Sequence, residues 1–212
     1  MRIATPIEEY IMEHITPEPP HLYNLYRATN VETMNPQMAS GHIQGQLLRM
    51  LVRMINPKSI LEIGTFTGYS AICMALGLPE GGRLYTFDVD DELEDFARRW
   101  IESSPVADKI VYKIGSALDE VPKMGQMFDL IFIDGDKREY VEYYNMAMQH
   151  LNKGGWILAD NTLWDGHVIE EDRHDAHTES VRRFNKLIKD DPRVEKVILP
   201  LRDGLTIIQR VD

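Results

Sequence analysis

Five short apolar runs, at 59–63, 83–87, 110–114, 130–133 and 156–159, constrain this chain more than any other feature of its sequence. Segments of helical period separate several of them, at 69–78, 92–102 and 138–150. Strands that are apolar at nearly every position are buried on both faces, and their alternation with helices indicates a parallel sheet covered on both sides. The end of the chain breaks this pattern. Two further strand-like runs, 194–199 and 205–210, are joined by Pro200-Leu201-Arg202-Asp203-Gly204, a hairpin connection that makes the last pair antiparallel. The first 56 residues read as helical instead. Ile7, Tyr10, Ile11 and His14 share one face before Pro17, Pro19 and Pro20 stop the helix; 22–33 forms a second. A third, 40–55, carries the stripe Leu47, Leu48, Leu51, Val52 and Ile55, with Met50 and Met54 also at core spacing. The expected architecture is α/β in one domain over 1–212: an N-terminal helical cap (1–56) on an α/β core (57–212).

Charge narrows the partners. Across 212 residues, 34 acidic side chains oppose 23 basic ones, a net charge of −11, and no Lys/Arg-rich run is visible. Nucleic-acid binding is dominated by cationic contacts to phosphate, so a polyanion partner is disfavoured. The one cysteine, Cys73, excludes an intramolecular disulfide and reads as a small buried apolar residue. Glu8, Glu9 and Glu13 leave no apolar core for a signal peptide, and no run approaches the roughly 20 apolar residues of a membrane span. A cytoplasmic protein without a membrane partner is expected.

The first strand runs into Leu61-Glu62-Ile63-Gly64-Thr65-Phe66-Thr67-Gly68-Tyr69-Ser70 and then a helix. Strand, glycine turn and helix make a crevice at the carboxyl end of a sheet, where open α/β folds bind ligands. The dinucleotide pattern G-x-G-x-x-G is not met, because Phe66 and Tyr69 stand where its later glycines belong. A pyrophosphate needs close backbone approach, so NAD and FAD are disfavoured and a nucleoside without a phosphate bridge fits better. A plain strand-to-helix connection remains the alternative. Asp88, about two dozen residues beyond Gly64, ends the second strand and could accept both hydrogen bonds of a ribose diol. Equally, Asp88, Asp90, Asp91 and Glu92 could cap the next helix.

Two later strands also end in acids. The fourth runs into Asp134-Gly135-Asp136-Lys137 and the fifth into Asp160-Asn161-Thr162-Leu163-Trp164. In a parallel sheet both ends open on the edge that carries the glycine turn. Asp134, Asp160 and Asn161 then offer oxygen-only ligands, suited to a hard cation such as Mg²⁺, with Mn²⁺ or Ca²⁺ as alternatives. Against this stands the habit of Asp and Asn to cap turns and helices at strand ends.

With these segments in view, the chain resembles the metal-dependent, S-adenosylmethionine (SAM)-using catechol and caffeoyl-CoA O-methyltransferases, most closely their bacterial branch. The matching stretches are Met38-Ala-Ser-Gly-His-Ile-Gln-Gly-Gln46, the glycine turn, 128–137, 159–166 and Asp203-Gly204-Leu205-Thr206. The resemblance implies a class I methyltransferase fold with a mostly parallel seven-stranded sheet, a homodimer, and a small phenolic acceptor. It implies Asp134, Asp160 and Asn161 as metal ligands. Glu62 and Gly64 would line the methionine end of SAM and Ser70 its carboxylate. Asp88 would hold the ribose, Ala117 the adenine and Asp136 the amino group, with Asp134 also among the cofactor-binding residues. Lys137 matches the proposed general base, while Met38 and Trp164 match positions flanking the acceptor. Arg202 departs from the glycine of the family pattern, which puts the substrate loop in question. A coenzyme A thioester would favour a basic rim, for which Arg2, Arg27 and Arg202 are the candidates.

The expected reaction is methyl transfer from SAM to one hydroxyl of a catechol-like diol chelated by the cation. Two other readings stay open: a methyltransferase of this fold acting on another oxygen or nitrogen acceptor, RNA included, and a non-catalytic SAM-binding protein. His42 and His167 lie near the proposed mouth. The stretch 170–177, with His174 and His177 among acids, reads as a solvated loop leading into a helix at 180–189, since two histidines without a third ligand make a weak zinc signal.

Overall fold

The computed structural model describes residues 5–212; Arg2 and the rest of 1–4 lie outside the described residues. Seven strands form one sheet: β1 (Ser59–Ile63), β2 (Arg83–Asp88), β3 (Ile110–Ile114), β4 (Phe128–Ile133), β5 (Leu151–Ala159), β6 (Val194–Leu199) and β7 (Leu205–Arg210). Their order is β3-β2-β1-β4-β5-β7-β6. The first five are parallel, and β7 runs antiparallel to both β5 and β6. The last strand thus inserts beside β5, and β6 takes the edge. Burial explains the exchange: β7 buries Leu205, Thr206 and Ile208, whereas Glu195, Lys196, Val197 and Ile198 of β6 are exposed. Charged residues on an edge strand discourage pairing with another chain.

Alternate residues of the central strands enter opposite cores, as a sheet covered on both faces requires. Ile60, Leu84, Leu130, Phe132 and Leu158 pack under one helical layer, formed by α2 (Pro20–Glu32), α3 (Gly41–Ile55), α4 (Tyr69–Ala75) and α5 (Glu94–Glu102). Leu61, Ile63, Ile131, Ile133 and Ile157 face the other, formed by α6 (Ala117–Met124), α7 (Tyr140–His150) and α8 (Ala176–Asp190). The first helix, α1 (Pro6–His14), is closed by a capping box in which Thr5 and Glu8 serve each other's backbone, and it buries no residue.

The structure departs from the sequence expectations in several places. Met50 and Met54 are exposed, because α3 turns Gln44, Gly45, Leu48 and Val52 inward instead. Helix α6 is absent from the periodic reading: it is short, contains Pro122, and ends on the left-handed Gly125. Helix α8 begins at Ala176, capped by the Asp175 side chain, so His177 belongs to its first turn and not to a loop. Helix α4 stops before Gly77, whose missing Cβ would lie 2.7 Å from the Arg49 carbonyl of α3.

Strand order reverses between β1 and β4, which are neighbours although two strands intervene in sequence. Their connections leave in opposite directions and open a crevice at the carboxyl edge.

Candidate active site

A cavity of about 480 Å³ fills that crevice. Its floor is made by the turns after β1, β2, β3, β4 and β5; residues 37–40 and Arg202-Asp203 close it from above. The volume lies within the roughly 300–1,000 Å³ common for small-molecule sites.

One end is shaped by the glycine turn. Gly64 has φ +98°, and a Cβ there would sit 2.4 Å from the Asp134 carbonyl oxygen, because β1 and β4 are hydrogen-bonded neighbours whose turns touch. Gly68 (φ +86°) precedes α4, and a Cβ there would meet Ile101 at 2.9 Å. Phe66 itself takes φ +49°, a left-handed conformation unusual for a residue with a Cβ. Asp88 holds the loop in that shape: its Oδ2 accepts the backbone N–H of Thr65 at 2.9 Å and of Phe66 at 2.6 Å. Its Oδ1 accepts from Asp90 N at 3.0 Å. The carboxylate neither caps the next helix nor leaves the cavity wall, which it lines beside Val89 and Leu93. Asp90 Oδ1 accepts from Glu92 N at 3.0 Å in the turn ahead of α5, which has no side-chain cap.

Glu62 stands apart. It points to the α4 face, between Thr86 on β2 and Phe132 on β4, and is completely buried. Neither carboxylate oxygen has a partner in hydrogen-bond geometry. Burial pushes its pKa up to about 8; the nearby Ser70 and Thr86 hydroxyls draw it down without reversing the effect. Glu62 therefore lies behind the cavity wall while Ser70, above it, lines the cavity.

The other end carries the acids. Asp134 Oδ1 accepts from Lys137 Nζ at 2.9 Å, and Lys137 also donates to the Gly135 carbonyl at 3.1 Å. Burial raises the Asp134 carboxyl to about 6; Lys137 opposes this and Asp160 adds to it. For Lys137, burial favours the neutral amine, but the charge of Asp134 and the neighbouring Tyr140 outweigh it and drive its pKa above the usual range. The pair is thus ionised at neutral pH. Asp160, 3% exposed, accepts from its neighbour Asn161 N at 3.0 Å and from Gln44 Nε2 at 2.7 Å. Asn161 adopts φ +56° and gives its Nδ2 to Asp203 at 3.4 Å, which leaves its amide oxygen with no hydrogen bond among the described residues.

The donor set fits a hard divalent cation: two carboxylates and an amide oxygen, with no sulfur or imidazole. Among the described residues no three His, Cys, Asp or Glu side chains group as a metal site; the third member of this trio is an amide.

Of the residues singled out in the sequence, Met38, Gly64, Ser70, Asp88, Ala117, Asp134, Asp136, Lys137, Asp160, Asn161 and Trp164 all line this one cavity. Asp136 does so while its carboxylate pairs with Arg138. His42 and His167 do not line it: His42 bonds the Thr16 carbonyl and His167 engages Glu170 and Arg173. His177, read as part of a solvated loop, instead stacks on Trp164, ring centroids 5.8 Å apart, at the cavity wall. Gln44 and Arg202 were not assigned to the acid cluster, and only the fold brings them there. The Asp175 N-cap was the one signal that would have moved the helix start to include His177.

The profile of the family described as "O-methyltransferase" matches residues 12–211. The chain is 36% identical to a caffeoyl-CoA O-methyltransferase of Eucalyptus gunnii, covering 96% of this chain and 86% of that protein. It is also 36% identical to caffeoyl-CoA O-methyltransferase 1 of Arabidopsis thaliana, over 96% and 83% of the two chains. Among solved structures, an O-methyltransferase from Bacillus cereus in complex with SAH superposes with a TM-score of 0.90 at 31% identity, over 97% of each chain. An O-methyltransferase from Streptomyces achromogenes involved in tomaymycin synthesis, in complex with SAM, gives 0.89 at 29%, over 97% and 96%.

Proposed function

The chain belongs to the O-methyltransferase family, and from that premise we propose that it moves the methyl group of SAM to one hydroxyl of a catechol-like small molecule whose two oxygens are chelated by a divalent cation, Mg²⁺ first among the candidates. One observation carries this reading: Asp134, Asp160 and Asn161, an oxygen-only trio from adjacent strand ends, share a cavity with the glycine turn.

SAM would lie along Gly64, Ser70, Asp88 and Ala117, with Asp88 offering its remaining lone pairs to the ribose. Gly64 gives the backbone clearance this needs. Glu62 supports the turn from behind. At the other end Asp134, Asp160 and Asn161 would hold the cation, which would supply the positive charge that favours a phenolate over a phenol. Lys137 remains an ammonium while Asp134 is free to pair with it; once Asp134 serves as a ligand, the main force raising the lysine's pKa is withdrawn and its amine becomes the general base. Met38 and Trp164 wall the acceptor and exclude water. Holding both reactants in one cavity lowers the entropic barrier to attack.

A coenzyme A thioester, as named for the plant relatives, is less well supported. Arg27 does not line the cavity and Arg202 is spent on protein carbonyls. A homodimer belongs to the same proposal; exposed Tyr10, Tyr23 and Met54 give the cap apolar surface for it. Among the described residues no helix is long and apolar enough to cross a membrane.

The test is formation of S-adenosylhomocysteine over pyrocatechol, 3,4-dihydroxybenzoate and phenol, with and without EDTA. Transfer to the two diols alone, abolished by EDTA and restored by Mg²⁺, is expected. Equal transfer to phenol, or undiminished transfer after complete chelation, would contradict the proposal.

A further inference from the structure

Arg202 occupies the β6–β7 connection at φ +50°, a left-handed conformation that favours glycine over a residue bearing a Cβ. Its guanidinium reaches across the mouth of the cavity to the cap. Nη1 donates to the Ala39 carbonyl at 2.9 Å, to the Ser40 carbonyl, and to Gln44 Oε1 at 3.4 Å. Nη2 donates to the Gln37 carbonyl at 3.0 Å. These acceptors lie in one short strap: the 3₁₀ turn Pro36–Met38, residues 39 and 40, and the first turn of α3. Met38 and its neighbours line the cavity from this strap, although the Met38 side chain is 55% exposed.

Ala39 and Ser40 of the strap are buried, but its Pro36–Met38 end is held mainly through its backbone. The Pro36–Met38 turn buries no residue, and neither Asn35 nor Ser40 makes a side-chain cap. Gln44, 1% exposed, extends the connection inward: its Oε1 faces Arg202 and its Nε2 donates to Asp160 Oδ2. A continuous line of donors therefore runs from the hairpin connection through the cap to the end of β5. All four acceptors on the guanidinium are neutral, and Arg202 makes no ion pair among the described residues.

We propose that Arg202 is a positioning residue for the methyl acceptor: a latch that fixes the 36–40 strap over the acceptor end of the cavity and, through Gln44, orients Asp160. The role attached to the acceptor rests on the catechol reading above; the latch itself does not. A fork of planar donors is what four converging acceptors require, and a lysine's point charge could not serve them together. The same commitment of donors means that Arg202 does not receive a carboxylate or phosphate of the acceptor.

Arg202→Gly and Arg202→Lys test this. Glycine suits the positive φ, so R202G retains the fold. Hydrogen exchange at the Met38 and Ala39 amides, which donate to Asn35 and Pro36 carbonyls, reads the strap without SAM, acceptor or metal. In R202G these amides are expected to exchange at least about tenfold faster, the loss of a few hydrogen bonds of ordinary net strength, while amides of β1 and β4 do not change. R202K lies between R202G and the parent protein. In steady state the KM for pyrocatechol rises about five- to tenfold, more than kcat falls, and SAM affinity stays within about twofold. Unchanged exchange at Met38 and Ala39 in R202G overturns the latch. Faster exchange with an unchanged acceptor KM overturns its positioning role. Parent protein that methylates no diol, together with the exchange difference intact, breaks the catechol reading and leaves the latch standing. Should R202G not fold, R202K carries the same readings.

Discussion

The donor end and the acceptor end of the cavity are held by contacts of different reach. At the glycine turn, Asp88 ties down Thr65 and Phe66, partners 23 and 22 residues away, within one β1-α4-β2 unit. At the acids, Gln44 and Asp160 are 116 residues apart, and Arg202 reaches 163 residues back to Ala39. The hydrogen bonds that shape the donor end are therefore mostly local, although Gly64 also packs on the Asp134 carbonyl and Ala117 comes from α6. The acceptor end exists only when cap, β5 and hairpin connection have all been assembled. The difference teaches where variation is tolerated: long-range contacts can be altered to change the acceptor without rebuilding the SAM site.

The largest expected effect separates the two ends outright. Asp160→Ala removes a carboxylate from the acid trio, and kcat for pyrocatechol should fall by about 10³-fold or more, the several kcal/mol that metal-assisted charge stabilisation supplies. Calorimetric SAM affinity should stay within a few-fold; a comparable loss of SAM binding would dissolve the distinction between ends. Lys137→Ala should lower kcat about 10²-fold, the lower range for a general base, with a flatter pH–rate profile between pH 6 and 9. An unchanged profile would make Lys137 a partner of Asp134 only.

At the donor end the leading effect is on stability. Gly64→Ala combines φ +98° with a Cβ 2.4 Å from the Asp134 carbonyl oxygen, backbone that cannot swing aside. It should cost about 2 kcal/mol or more, visible as a melting point lowered by at least about 4 °C. Glu62→Gln depends on pH. The folded protein retains a proton on Glu62, with pKa about 8, that the unfolded chain, at 4.5, releases. Its contribution to stability is therefore complete below about pH 4.5 and falls as the pH rises towards 8. Glutamine cannot ionise, so the melting point of E62Q should gain on the parent protein between pH 5 and 8.5, by about 4 °C or more. A gap that does not vary with pH would show that the buried carboxyl is not protonated.

Legibility in the sequence followed the same divide. The carboxyl ends of the strands, the glycine turn and the acids that follow could be read because each is marked by neighbouring residues: an apolar run, then Gly64, Asp88, Asp134 or Asp160; the starts of β4 and β5, at Phe128 and Leu151 and not at 130 and 156, could not. What could not be read depends on the packing of distant segments. No local signal says that Gln44 of a helical stripe would turn inward to meet Asp160 while Met50 and Met54 face outward. The Arg202 departure from the family's glycine was visible, but its reason, the carbonyls of residues 37, 39 and 40, was not. Glu62 is the mixed case. Its position was apparent, but its complete burial beside Ser70 and Thr86 was not; it follows from the alternation of β1, which places Glu62 on the same face as Ile60.

On the function proposed above, one cavity joins a donor end that is complete without metal to an acceptor end that is not. The most direct measurement follows SAM binding and methyl transfer to pyrocatechol in the same EDTA-treated sample, then after adding Mg²⁺. The account predicts SAM bound with nearly the same affinity in both states and transfer only in the second. Transfer at full rate in the chelated sample would contradict it.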